Sequence, residues 1–173
     1  GPGALGPGGC PLSLRGQALG LAGLLIILDQ ATKALVRESL ALGARLDLTP
    51  FFALVHAENR GAAFSFLAGA SGWQRWFFLA LALGFTLWVL RELRALGAEQ
   101  RALALTYGAL LGGALGNALD RAVSGAVTDF LLVHWQDHYF PAFNVADSAL
   151  TGAVMALLLL WWKDGHNTPA EDS

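Results

Sequence analysis

The chain has 173 residues, of which 55% are hydrophobic and only 14% charged, with a mean hydropathy of +0.51. Soluble domains carry about a quarter charged residues, so the deficit points to a bilayer as the solvent. A net charge of −2 without a long basic tract argues against a nucleic-acid partner, and the single cysteine, Cys10, excludes an intramolecular disulfide and a cysteine-ligated metal site.

Residues 1–11 read GPGALGPGGCP. They offer nothing to pack, so 1–13 is expected to be a disordered tail or an expression remnant. No charged stretch precedes an apolar core there, so it does not read as a cleavable signal peptide. The first apolar segment, 14–36, is then expected to serve as its own insertion signal. Asp29 and Lys33 stand near its far end, four residues apart and on one helical face, which reads as an intrahelical pair at the membrane interface.

The 38–72 segment is too long for a simple turn. Its runs 46–49 and 51–56 are rich in aliphatic and aromatic residues and are bounded by Pro50 and by Asn59-Arg60-Gly61, so short strands are expected. A small sheet on the outer membrane surface would bring Asn59 over the acids described below.

Three more apolar segments follow at 73–93, 102–119 and 145–162. Helices of about 17–25 residues cross a bilayer, and Trp73, Trp76, Trp161 and Trp162 sit at segment ends as interface anchors do. The expected fold is an all-α membrane protein: four transmembrane helices in one domain over 14–162, with a small outward-facing β-containing loop between the first two. Residues 163–173 form a polar cytoplasmic tail. No repeat of solenoid or inverted-repeat type is visible. The short link 91–101 concentrates Arg91, Arg94 and Arg101, which favours cytoplasmic termini. That orientation also gathers Asp29, Lys33, Asp120, Arg121 and Asp147 near the outer leaflet.

Between the last two apolar segments lie the costliest residues for a membrane protein. Asp120 and Arg121 close one run, Asp129 follows in Val127-Thr128-Asp129-Phe130, and Asp147 opens the next run. From the residues alone three readings stay open. The acids could form a polar network tying helices together, carry protons or ions, or act as a pair that activates water for hydrolysis. Asp129 and Asp147 suit the last role. Asp120 beside Arg121 reads as a charge-paired structural residue, while Asn117 and Asn144 supply amide hydrogen bonds that orient carboxylates. His134 and His138 lie four apart but lack a glutamate in zincin spacing, so no metal site is expected. Ser65 and Ser124 have no partnered histidine, and Gly112, Gly113 and Gly116 read as helix-packing positions.

Four motifs, in order, resemble the bacterial lipoprotein signal peptidases (signal peptidase II). Asp29-Gln30-Ala31-Thr32-Lys33 resembles that family's Asp-Gln-x-x-Lys element, and Asn59-Arg60-Gly61-Ala62-Ala63-Phe64-Ser65 its Asn-x-Gly-x-x-Phe-Ser loop. Gly116-Asn117-Ala118-Leu119-Asp120-Arg121 with Val127-Thr128-Asp129-Phe130 resembles Gly-Asn-x-x-Asp-Arg and Val-x-Asp-Phe. Phe143-Asn144-Val145-Ala146-Asp147 resembles Phe-Asn-x-Ala-Asp. The resemblance implies an aspartic endopeptidase of the bacterial inner membrane that cleaves prolipoproteins before a diacylglyceryl-modified cysteine, without a cofactor. Membrane lipid would surround it, and the cyclic peptide globomycin would inhibit it. By position it implies Asp129 and Asp147 as the catalytic pair. The supporting or substrate-binding residues would be Asp29, Lys33, Asn59, Gly61, Asn117, Asp120, Arg121 and Asn144.

Overall fold

The computed structural model describes residues 13–61 and 72–167. In chain order it contains α1 (Leu14–Ser39), β1 (Arg45–Thr49), β2 (Phe52–Asn59), α2 (Trp73–Ala95), α3 (Arg101–Ser124), β3 (Val127–Trp135), β4 (His138–Tyr139) and α4 (Val145–Asn167). All four helices are long and apolar enough to span a bilayer. The expectations for 1–12 and 168–173, and the Ala62–Ser65 part of the second motif, lie outside the described residues.

The helices overrun their apolar runs for local reasons. Ser13 caps α1, its Oγ accepting from Gly16 N at 3.2 Å. Helix α3 continues through Asp120 and Arg121 to Ser124. It stops at Gly125, whose φ of 77° suits a residue without Cβ and whose N–H donates to Arg121 O at 3.1 Å. Helix α4 extends past residue 162 into the polar tail, where His166 Nδ1 lies 2.8 Å from Trp162 O.

Helix α3 is the centre of the bundle. In its most apolar window 56% of residues are buried, against 22% for α1 and 11% each for α2 and α4, which turn most of their surface outward. It packs on all three other helices, whereas α2 and α4 make no comparable contact with each other. The close α1–α3 approach depends on small residues on both sides. A Cβ on Gly108 would collide with the backbone of Ala18, and one on Gly112 would lie 2.8 Å from Leu25 Cβ. The expected packing role of these glycines follows from that geometry.

The sheet is antiparallel in the order β1-β2-β3-β4. The two strands expected between the first helices are there. Half of the sheet, however, comes from the segment after α3, whereas strands were expected only between the first two helices. Val127, Thr128, Asp129 and Phe130 are all buried, so this strand shows no alternation of polar and apolar residues, the usual sign of a half-exposed strand. Pairing sets Asp129 opposite Ala57 and Val127 opposite Asn59. The end of β2 is thereby brought against the start of β3.

Candidate active site

Where α1, α3 and the sheet meet, four charged side chains neutralise one another. Lys33 and Asp29 are completely buried, and Asp120 is nearly so. Lys33 Nζ lies 2.7 Å from Asp29 Oδ2, 3.0 Å from Asp120 Oδ2 and 3.1 Å from Asn117 Oδ1. Three donors meet three acceptors, so the buried ammonium keeps no unmet hydrogen-bonding capacity. Arg37 reaches within 3.8 Å of Asp120 Oδ1 and donates to Thr128 Oγ1 at 2.9 Å. Thr128 N donates to Asp120 Oδ2 at 3.1 Å, which fastens β3 to α3.

Two expectations change here. The Asp29–Lys33 pair exists, but buried as part of a multi-element network and not as an isolated pair within one helix. Asp120 does not pair with Arg121. Consecutive helical residues point about 100° apart, and the partners of Asp120 are Lys33, Arg37 and the Gln30 amide, 3.0 Å from Oδ1.

Asp147 owes its position to the start of α4. Asn144 caps that helix: its Oδ1 accepts from Asp147 N at 2.8 Å, and Asp147 Oδ2 in return accepts from Asn144 N at 3.3 Å. This reciprocal arrangement is a capping box with Asp147 in the third helical position. Asp29 Oδ1 accepts the next free amide, Ala146 N, at 2.9 Å. Gly116 makes room for that contact, since a Cβ there would lie 2.8 Å from Asp29 Oδ2. The second oxygen of Asp147 accepts from Asn117 Nδ2 at 2.7 Å.

Asp129 comes from β3 and receives amides on both oxygens. Asn144 Nδ2 donates to Oδ1 at 2.8 Å, and Asn59 Nδ2 donates to Oδ2 at 3.1 Å. Asn144 therefore touches both acids, one through its side-chain amide and the other through the helix cap. Burial, followed by the charge of Asp147, raises the Asp129 pKa from 3.8 to about 6, against the lowering influence of the two asparagine amides and Lys33. The pair is thus held by neutral donors, while the neighbouring acids are neutralised by cations.

On the Asn59 side of the pair, Gly61 follows β2 and meets Phe78 of α2. Gly61 N donates to Asn59 Oδ1 at 2.8 Å, fixing the amide that faces Asp129. Gly61 has φ 102°, and a Cβ there would lie 2.8 Å from the Phe78 ring, so this position requires glycine twice over. Phe78 also carries Arg121, whose Cζ lies over the ring at 4.6 Å from the centroid.

All the anticipated positions fall in this one region. Gln30, Arg37, Thr128 and Phe78 join them without having been anticipated. Gln30 and Thr128 lie inside the matched motifs, so that signal was available. Arg37 and Phe78 carry none, because their relevance depends on which elements become neighbours. Among the described residues no three His, Cys, Asp or Glu side chains are grouped to hold a metal ion. Among the described residues, the buried side-chain atoms lacking a hydrogen bond are Arg75 Nε and Thr86 Oγ1, which belong to none of these residues.

The family model described as Signal peptidase (SPase) II matches residues 21–163. The lipoprotein signal peptidase of Burkholderia ambifaria (strain MC40-6) is 51% identical over 128 residues, covering 74% of this chain and 76% of its own. That of Aeromonas hydrophila is 49% identical over 129 residues, covering 74% and 77%. A solved bacterial membrane enzyme, determined by the in meso method at 2.3 Å, superposes with a TM-score of 0.79 at 28% identity over 91% of this chain and 94% of its own. With sequence and fold agreeing over most of the helical bundle, the chain belongs to the signal peptidase II family.

Proposed function

We propose that the protein is an aspartic endopeptidase that removes signal peptides from diacylglyceryl-modified prolipoproteins, with Asp129 and Asp147 as the acid pair. The observation that carries this reading is the contrast in partners. Asp129 and Asp147 accept only from neutral amides, whereas Asp29 and Asp120 share a lysine. A pair of this kind holds one proton between two carboxyls. The ionised carboxyl takes a proton from water as its oxygen attacks the scissile carbonyl carbon. The protonated carboxyl passes its proton to the carbonyl oxygen. Collapse of the resulting gem-diol breaks the C–N bond, the nitrogen leaving with a proton from the pair.

The remaining parts of the reading are spatial. Helices α2 and α4 both pack on α3 without closing on each other, which suits lateral entry of a lipid-bearing substrate from the bilayer. We place the protein in the bacterial inner membrane with both termini cytoplasmic and the acid pair toward the outer leaflet, and globomycin as an inhibitor competing for the same site. An impermeant thiol reagent added outside intact cells should then leave a Gly97→Cys variant, made in a Cys10→Ser background, unlabelled. The decisive experiment is cleavage of a purified lipidated prolipoprotein. Parental protein should release the signal peptide, and Asp129→Asn and Asp147→Asn should not. Turnover by either variant within about tenfold of the parent, ~1.4 kcal/mol in barrier, would remove that residue from the catalytic pair.

A further inference from the structure

Helix α2 is buried against the bundle in its second half only. Its buried residues are Val89 and Leu93, and Phe85 and Leu90, which pack against the same apolar core, also lie in that half. Residues 73–84 include no buried position. This first half nevertheless carries Phe78, the ring that both Gly61 and Arg121 meet. Arg75 ties it to α3. The Arg75 Nη2 donates to Ala122 O in the last turn of α3. Ser124 Oγ and Gly125 N take the two preceding carbonyls, Asp120 O and Arg121 O, so Arg75 serves an acceptor that the end of the helix leaves open. In its own helix the charge is misplaced. It stands in the first turn, where a cation opposes the helix dipole and no acid offsets it, whereas at the end of α3 the same charge is favourable. The stem passes beside Gly125, where a Cβ would lie 3.8 Å from Arg75 Cδ. Nε is buried without a hydrogen bond, so the side chain gives up solvation to hold this position. Arg75 and Phe78 are three residues apart on one face of α2, and their partners, Ala122 and Arg121, are neighbours on α3. The two contacts form consecutive rungs between the helices.

We propose that Arg75 is a positioning residue for the acid pair, acting through Phe78. By fixing the first half of α2 on α3, it keeps the Phe78 ring against Gly61, whose N–H orients the Asn59 amide that faces Asp129. This rests on the cleavage reaction proposed above. Without the bond to Ala122 O, α2 is free to swing about its packed second half. Gly61 then loses its stop, and Asp129 loses the geometry of one of its two amide donors.

The test assays Arg75→Met, which keeps the stem and removes the donor, and Arg75→Lys, which keeps a donor and the charge. Each is measured on a lipidated prolipoprotein, alone and combined with Phe78→Leu. A small misplacement of reacting groups is costly, so Arg75→Met should lower kcat roughly 10- to 100-fold with KM within about twofold of the parent. Its Tm should fall by no more than about 4 °C, the equivalent of one hydrogen bond. Arg75→Lys should return kcat to within about threefold of the parent, since an ammonium also donates to a carbonyl. In the Phe78→Leu background, Arg75→Met should cost almost nothing further, because the two residues act as one unit. Arg75→Gln, with a shorter and neutral donor, takes the place of Arg75→Met should that variant fail to fold. A kcat within about threefold of the parent when the donor is removed overturns the inference. So does a loss that Arg75→Lys leaves in place, or one that is fully additive with Phe78→Leu. A raised KM at parental kcat overturns it too, by assigning Arg75 to the substrate. An activity loss that vanishes well below a strongly lowered Tm does the same, by assigning Arg75 to the fold alone. Asp129→Asn runs alongside. Its inactivity with a fully active Arg75→Met defeats this inference alone, whereas its activity defeats the reaction on which the inference rests.

Discussion

Two pairs of acids lie side by side in this protein and are treated in opposite ways. Asp29 and Asp120 surround Lys33 Nζ at 2.7 and 3.0 Å, with Arg37 within 3.8 Å of Asp120, so four charges sum to zero. Asp129 and Asp147 receive asparagine amides and helix-cap contacts, and no cation within salt-bridge distance among the described residues. A cation would hold a carboxylate in place and also stabilise its ionised form, suppressing the proton sharing that acid-pair chemistry needs. Amides hold it in place with less bias. On the proposed reading, cations hold one pair in place, while amides hold the other and still allow a proton to be exchanged.

The largest test of that contrast removes one acid from the proposed catalytic pair. Asp129→Asn or Asp147→Asn should lower turnover by about 10⁴-fold, the upper range for a lost general acid or base, while thermal unfolding changes little. Two opposing effects underlie the second expectation. The substitution removes a like charge, but it also turns an amide NH2 toward groups that are themselves donors, Asn144 and Asn59 at Asp129 and Asn117 at Asp147.

Next comes the neutralised pair. Lys33→Met should cost on the order of 3–5 kcal/mol, because it strands two buried carboxylates, and the loss should be visible in denaturation of the detergent-solubilised protein. Asp120→Asn should be destabilising in the same sense, with activity falling alongside. A Lys33→Met protein as stable as the parent would mean that Asp29 and Asp120 are not both ionised, and the contrast between the pairs would fail.

Asn144 joins the two roles and lets them be separated. Asn144→Ala removes the cap of α4, worth about 0.5–2 kcal/mol, and releases Asp129 Oδ1. Asn144→Ser should recover most of the stability, since serine caps well, but it is too short to keep the bridge to Asp129. Activity should remain reduced in both variants. Full activity in Asn144→Ser would show that the cap matters and the bridge does not.

The smallest expected effect is a slope. The Asp129 pKa lies near 6 against 3.8 without the fold, so the folded state binds the extra proton. Its contribution to stability is fully present below pH 3.8 and is lost as pH rises through 6. Unfolding measured across this range should show a decline of at most ~3 kcal/mol that Asp129→Asn lacks. In the rate, kcat/KM of the parent should fall at high pH as the shared proton is lost, with an apparent value belonging to the pair.

The sequence by itself determined the solvent and the layout. Apolar runs too long for a soluble core and too poor in charge to face water leave a spanning helix as the outcome, since a helix satisfies its backbone internally. It also marked the acids, because a carboxyl in such a chain is too costly to be incidental. Which acid takes which partner was settled only by the tertiary structure. Asp120 stands next to Arg121 in the chain but meets Lys33, 87 positions earlier, because α1 and α3 approach across their small residues. Residues 127–135 become the inner strand of a sheet because Asn59 and Ala57 arrive beside them, an event no local pattern encodes. Asp129 and Asp147 come together through Asn144, whose side-chain NH2 donates to a strand residue while its Oδ1 caps a helix. Hydropathy and cost are properties of single residues and are legible one at a time. Hydrogen-bond partners belong to pairs, and they exist only once the chain has folded.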